Sequence, residues 1–110
     1  MMKFLFLFSL FIFTSCTWNE IFVCETNTPS YSACVKPIFD KNCLGCHATN
    51  NSAQIMPLSN YQEIRDEVVN GTVIESLRRA SGFMPKSGER LSEEEIVIIE
   101  NWKNNDSPNN

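Results

Sequence analysis

Residues 31–47 read YSACVKPIFDKNCLGCH. Val35, Ile38, Phe39 and Asn42 recur at helical spacing, so a helix beginning near Ser32 leads straight into Cys43, Cys46 and His47. Pro37 falls early in that helix, where its missing amide is least costly, although it can bend the axis. His47 is the only histidine of the 110 residues. With five cysteines and one histidine, Cys-x-x-Cys-His is expected by chance roughly 0.002 times, so the cluster needs a chemical reason.

Three further helices follow, each with a start signal. In SNYQEIRDEVVNG, residues 59–71, Ser59 and Gln62 have capping-box spacing, Tyr61, Ile64 and Val68 share a face, and Asn70-Gly71 stops the helix. TVIESLRRASG, residues 72–82, pairs Thr72 with Glu75 and ends at Gly82. LSEEEIVIIENWKNN, residues 91–105, pairs Ser92 with Glu95, and Leu91 and Ile96 are spaced for a hydrophobic staple. Glu93, Glu94 and Glu95 match the positive end of the helix dipole and Lys103 its negative end, which makes them a solvated helix start rather than acid-base groups. Ile96, Ile99 and Trp102 form its inward stripe, with Ile98 on the flank. No segment reads as a strand. The fold class expected is all-α, with longer loops at Ala48–Leu58 and Phe83–Leu91.

The chain opens with MMKFLFLFSLFIFTSC: Lys3, then an apolar run from Phe4 to Phe13, then small residues before Cys16. That is the layout of a secretory signal over residues 1–15, with an apolar stretch short for a bilayer span. Cys16 stands where a lipoprotein signal places its acylated cysteine; cleavage nearby, or an uncleaved anchor, is the alternative. Residues 16–30, with no helical period, read as a tether that Cys24 can pin, and residues 108–110 of NNDSPNN as a frayed tail. Export puts the protein in an oxidising compartment, on the periplasmic side of a membrane or free in the periplasm, where disulfides are permitted. Losing the signal removes Phe4, Phe6, Phe8, Phe11 and Phe13, so a bound cofactor or a staple would help the small remaining core. Losing Lys3 takes the formal net charge from −4 to −5, and so acidic a surface excludes nucleic acid as a partner.

Three chemistries compete for residues 43–47. Zinc would need Cys24 and Cys34 to complete a four-thiolate set, at loose spacing and in a compartment that seldom keeps thiols reduced. A redox dithiol belongs at a helix start after a strand, and no β-α-β pattern surrounds this one. Covalent haem uses every residue: the thiols of Cys43 and Cys46 add to the porphyrin vinyl groups and His47 reaches the iron. The haem reading prevails. For the sixth ligand, Met56 is only nine residues past His47 and reads as packing on the haem edge. Met84 lies in the loop SGFMPKSGERL, residues 81–91, with no helical face to fill, and is the expected iron ligand. Arg78, Arg79 and Arg90 can neutralise haem propionates or stand in solvent.

On YSACVKPIFDKNCLGCH, LSNYQEI, FMPKSGERLSEEEI and IENW, residues 31–107 resemble the small single-haem class I cytochromes c of bacteria, in the variety exported as lipoproteins. The resemblance implies a cytochrome c-like domain of four short helices around one covalent haem c. Its first and last helices cross, with Ile38 and Phe39 near Ile96, Ile99 and Trp102. Cys43 and Cys46 carry the haem, and His47 and Met84 are the axial pair. The implied function is one-electron transfer between redox partner proteins, without catalysis, near a membrane held by the lipid. A haem enzyme or gas sensor with a labile sixth ligand is the rival, and an exported zinc or disulfide module the more distant one. Two departures stand out. The glycine-rich stretch usual after the histidine is replaced by ATNNSAQ, so a carbonyl near Met56 or Pro57 is expected to accept the His47 ring N–H. Relatives bridge an N-terminal cysteine to one located where this chain has SEEE; Cys34 appears here instead, which implies a Cys24–Cys34 disulfide.

Overall fold

The structure is a computed structural model that describes residues 24–86 and 88–110. The signal, Cys16 and the first part of the tether, residues 16–23, lie outside the described residues. Among the described residues the chain is helical and has no strand. A π-helical turn, Tyr31–Val35, runs into α1, Lys36–Asn42; then come α2, Leu44–His47, α3, Tyr61–Val69, α4, Thr72–Arg78, and α5, Glu93–Asn104. None is long and apolar enough to cross a membrane.

The first expected helix thus forms in two registers, and Pro37 accounts for it. In a regular α-helix the proline ring clashes with the carbonyl four residues back. Here the amide of Lys36 bonds to Tyr31 O, one residue farther than in an α-helix, and the widened turn accommodates the ring. Ser30 caps this turn, its Oγ accepting from Ala33 N at 3.2 Å.

The cap of α5 follows the sequence. Ser92 Oγ accepts from Glu95 N and the Glu95 carboxylate accepts from Ser92 N, both at 3.1 Å. Two other caps differ. Asn60, not Ser59, begins α3 and accepts from Glu63 N at 3.0 Å, while the Glu63 carboxylate reaches back to Ser59 N at 2.8 Å. The Thr72–Glu75 pair makes no box, because Gly71, at φ 91°, is the cap of α4 and Asn70 Oδ1 takes the Thr72 amide at 2.9 Å.

Phe39 and Trp102 are fully buried at the centre of one apolar cluster that also holds Val35, Ile38, Ile64, Val68, Ile96 and Ile99. Leu91 and Ile96 are both buried in it. Helix α5 packs on the π-helical turn, α3 and α4. The arm before Tyr31 lies along α5: Asn101 Nδ2 donates to Thr26 O at 2.8 Å, Asn105 Nδ2 to Asn27 O at 2.9 Å, and Pro29 is fully buried. A Cys24–Cys34 disulfide, Cα–Cα 5.2 Å, pins the arm to the π-helical turn. Closing a loop of ten residues contributes roughly 2–3 kcal/mol.

The end of the chain, expected to fray, is held in place. Asp106 and Ser107 adopt positive φ and turn the backbone onto Trp102, whose indole Nε1 donates to Pro108 O at 3.0 Å. Asn110 then accepts from Tyr31 N through its side chain, at 3.1 Å, and from Ser32 N through its carbonyl, at 2.8 Å. A buried indole N–H needs an acceptor, and the opening amides of a helix lack intrahelical ones; the tail supplies both.

Candidate haem site

Cys43 sits at the junction of α1 and α2, its amide still bonded to Phe39 O at 2.9 Å. From there α2 turns once, with His47 N bonded to Cys43 O at 3.0 Å. Spacings of three and four along a helical turn bring Cys43, Cys46 and His47 to one side. Cys43 is part-buried and Cys46 exposed, and both are free thiols.

The polar stretch after His47 folds back and fixes the imidazole. His47 Nδ1 donates to Met56 O at 2.6 Å, and Leu58 N donates to His47 O at 2.7 Å. A carbonyl can only accept, so Nδ1 carries a proton, and in the neutral ring Nε2 keeps a lone pair for a metal. The loop achieves this without glycine. Asn50 and Gln54 take the left-handed turns, at φ 61° and 52°, and the Asn51 side chain bonds Ala48 O, Ile55 O and Ile55 N at 2.8–3.0 Å.

A cavity of about 450 Å³ opens beside this turn, within the range typical of cofactor pockets, about 300–1,000 Å³. Cys43, Cys46 and His47 line one part of it, Val73 and Leu77 of α4 another, and Met84 and Pro85 a third. Met56 and Leu58 also reach it. The cavity therefore gathers the four residues expected to hold a haem, from two separate parts of the chain. A larger, more open cleft of about 760 Å³ adjoins it; Glu89, Arg90, Glu94 and Glu95 line that one, and none of the motif residues does.

Arg78, Arg79 and Arg90 do not line this cavity. Arg78 joins α4 to α5, forking onto Glu100 at 2.9 Å and reaching Glu93 at 2.8 Å. Arg79 pairs with Glu75 at 3.2 Å, and Arg90 donates to backbone carbonyls. The cations lining the cavity are Lys41 and Lys86, which sequence reasoning missed. Their one signal is position: Lys41 lies two residues before Cys43, and Lys86 two after Met84.

Other uses of the motif find less support in this arrangement. The disulfide consumes Cys24 and Cys34, two thiolates that a four-sulfur zinc site needs. Among the described residues no three His, Cys, Asp or Glu side chains converge as metal ligands. A redox dithiol has a thiol made acidic by a helix start, whereas burial pushes the Cys43 thiol up to about 11. Comparison of the chain with protein-family models, with curated proteins and with solved structures returns no match in any of the three.

Proposed function

We propose that the chain is an exported c-type cytochrome that carries one electron at a time between redox partner proteins. The observation that carries this reading is the cavity that brings Cys43, Cys46, His47 and Met84 together, with His47 held in the tautomer that frees Nε2. Bound haem supplies an iron that alternates between ferrous and ferric states. The chain's own part is to attach, ligate and exclude. Cys43 and Cys46 would form the thioether links, and His47 and Met84 would hold the iron. Met56 lines the same cavity, but its backbone is the acceptor for the His47 ring, which keeps that residue on the histidine's side. Val73, Leu77 and Leu58 offer the apolar wall that a porphyrin requires, and Lys41 and Lys86 the charges that complement its propionates.

Were His47 and Met84 both to hold the iron, no position would remain for a substrate, which favours a carrier over an enzyme. The packing of α5 on the π-helical turn supports a cytochrome c-like fold with its first and last helices in contact. The leader implies periplasmic delivery, with Cys16 acylated so that the membrane holds the protein near its partners and raises their effective concentration.

The test is purification of the exported protein from cells with working haem-attachment machinery, followed by denaturing haem staining and ferric and ferrous spectra. Stained protein with a ferric methionine–iron band is expected, with the band lost in Met84→Ala and kept in Met56→Leu. A high-spin ferric spectrum in the wild type would favour the enzyme or sensor instead. Colourless protein would end the haem reading.

A further inference from the structure

We infer that Arg90 is a positioning residue for Met84. As an inference about the sixth iron ligand, it rests on the reading of Met84 proposed above. Among the described residues between α4 and α5 there is no regular helix, and the Met84 amide is tied to Ser76 O at 3.0 Å. The remaining brace comes from Arg90. Its Nη1 donates to Leu77 O at 3.0 Å and its Nη2 to Arg79 O at 2.8 Å. Leu77 lies in the last turn of α4 and Arg79 is its C-cap, where no helix amides are left to satisfy the carbonyls. The same guanidinium lies over the ring of Phe83, 3.9 Å from its centroid. Phe83 precedes Met84 directly.

One planar cation thus grips the start of the segment by its carbonyls and the middle by its aromatic ring, from a position just before α5. Neighbouring arginines behave differently. Arg78 and Arg79 take carboxylates, whereas Arg90 pairs with no carboxylate among the described residues. The arrangement suits arginine and not lysine, because it uses a fork of donors and a flat face together. Losing the brace frees the segment to swing, which loosens the thioether of Met84 while leaving Cys43, Cys46 and His47 untouched.

The experiment compares wild type, Arg90→Ala, Arg90→Lys, Phe83→Leu and Arg78→Gln as full-length holoproteins. Two quantities are read: the imidazole concentration that half-replaces the methionine in the ferric state, and amide hydrogen exchange at Met84. In Arg90→Ala the imidazole midpoint is expected to fall about tenfold and the Met84 amide to exchange about tenfold faster, with haem staining unchanged. Arg90→Lys recovers part of both, and Phe83→Leu moves both in the same direction by less. Arg78→Gln, which cuts exposed ion pairs, lowers thermal stability and leaves the imidazole midpoint in place. A wild-type midpoint and wild-type Met84 exchange in Arg90→Ala overturn the inference; should that variant not fold, the same result in Arg90→Lys and Phe83→Leu overturns it. If wild type lacks the methionine band, the reading of Met84 as ligand fails. The exchange measurement then still decides whether Arg90 braces the segment.

Discussion

Tyr31 buries a hydroxyl that has no hydrogen-bond partner among the described residues. Burial raises the pKa of that phenol, so the group stays neutral and merely desolvated. Its ring is well placed, edge-on to Tyr61 at 5.2 Å and tilted against Trp102 at 5.9 Å. Tyr31→Phe keeps the ring and removes the orphan, and is expected to raise unfolding free energy by about 1 kcal/mol. Tyr61 is the control, because its hydroxyl donates to Ser107 O at 2.8 Å, and Tyr61→Phe is expected to lower stability by about as much. Urea denaturation of both variants checks this; a Tyr31→Phe midpoint below wild type would mean that the hydroxyl is hydrated. Nothing near Tyr31 in the sequence gave notice of this cluster. Its partners come from two distant helices, whereas the grouping of Cys43, Cys46 and His47 on one turn is announced by their spacing of three and four residues.

Helix boundaries were legible to the extent that their signals are local. The Ser92–Glu95 box of α5 involves residues three apart and folds as read. At α3 two overlapping pairs compete, Ser59 with Gln62 and Asn60 with Glu63. The second prevails because a charged carboxylate accepts more strongly, and here it collects the Ser59 amide, the Ser59 hydroxyl and Thr49 Oγ1 at 2.8–3.1 Å. Thr49 belongs to the loop that returns from His47, a contact the sequence could not announce. These bonds hold the Glu63 carboxyl below its ordinary value. A depressed folded-state pKa stabilises above the unfolded value and loses that contribution as pH falls through the folded one. Wild type is therefore expected to exceed Glu63→Gln in thermal midpoint by a constant margin at neutral pH, with the margin closing below pH 4.5. Melting curves of the two proteins from pH 7 to roughly pH 3 provide the check. A margin that stays flat across that range would remove Glu63 as the tie between the His47 loop and α3.

The start of the π-helical turn and the last residues meet, and composition hid it. An asparagine-rich tail looks disordered until the groups it satisfies are known, and Asn110 bonds a residue 79 positions away. The candidate site escaped that difficulty only in part. Its motif and Met84 stand out in the sequence, but the placement of Lys41, Lys86 and Arg90 emerged only when separate parts of the chain came together. Removing residues 108–110 takes the Pro108 carbonyl from Trp102 Nε1 and the Asn110 acceptors from the amides of Tyr31 and Ser32. The indole lies in the core, so its N–H is left without a partner, and the amides at the start of the π-helical turn reopen to water. A loss of about 2–3 kcal/mol is expected, a large share of the roughly 5–15 kcal/mol typical of a small domain. Asn110→Ala removes only the side-chain acceptor and is expected to lose about 1 kcal/mol or less. On the haem reading proposed above, both variants should stain like wild type, since neither touches Cys43 or Cys46, while their urea midpoints fall in that order. The hydrogen exchange of the Ser32 amide locates the effect: it should accelerate in the truncated protein and stay slow in Asn110→Ala, whose main-chain carbonyl still reaches it. An unchanged midpoint after truncation would mean that the tail frays in solution and that the disulfide-pinned arm alone closes this end of the molecule.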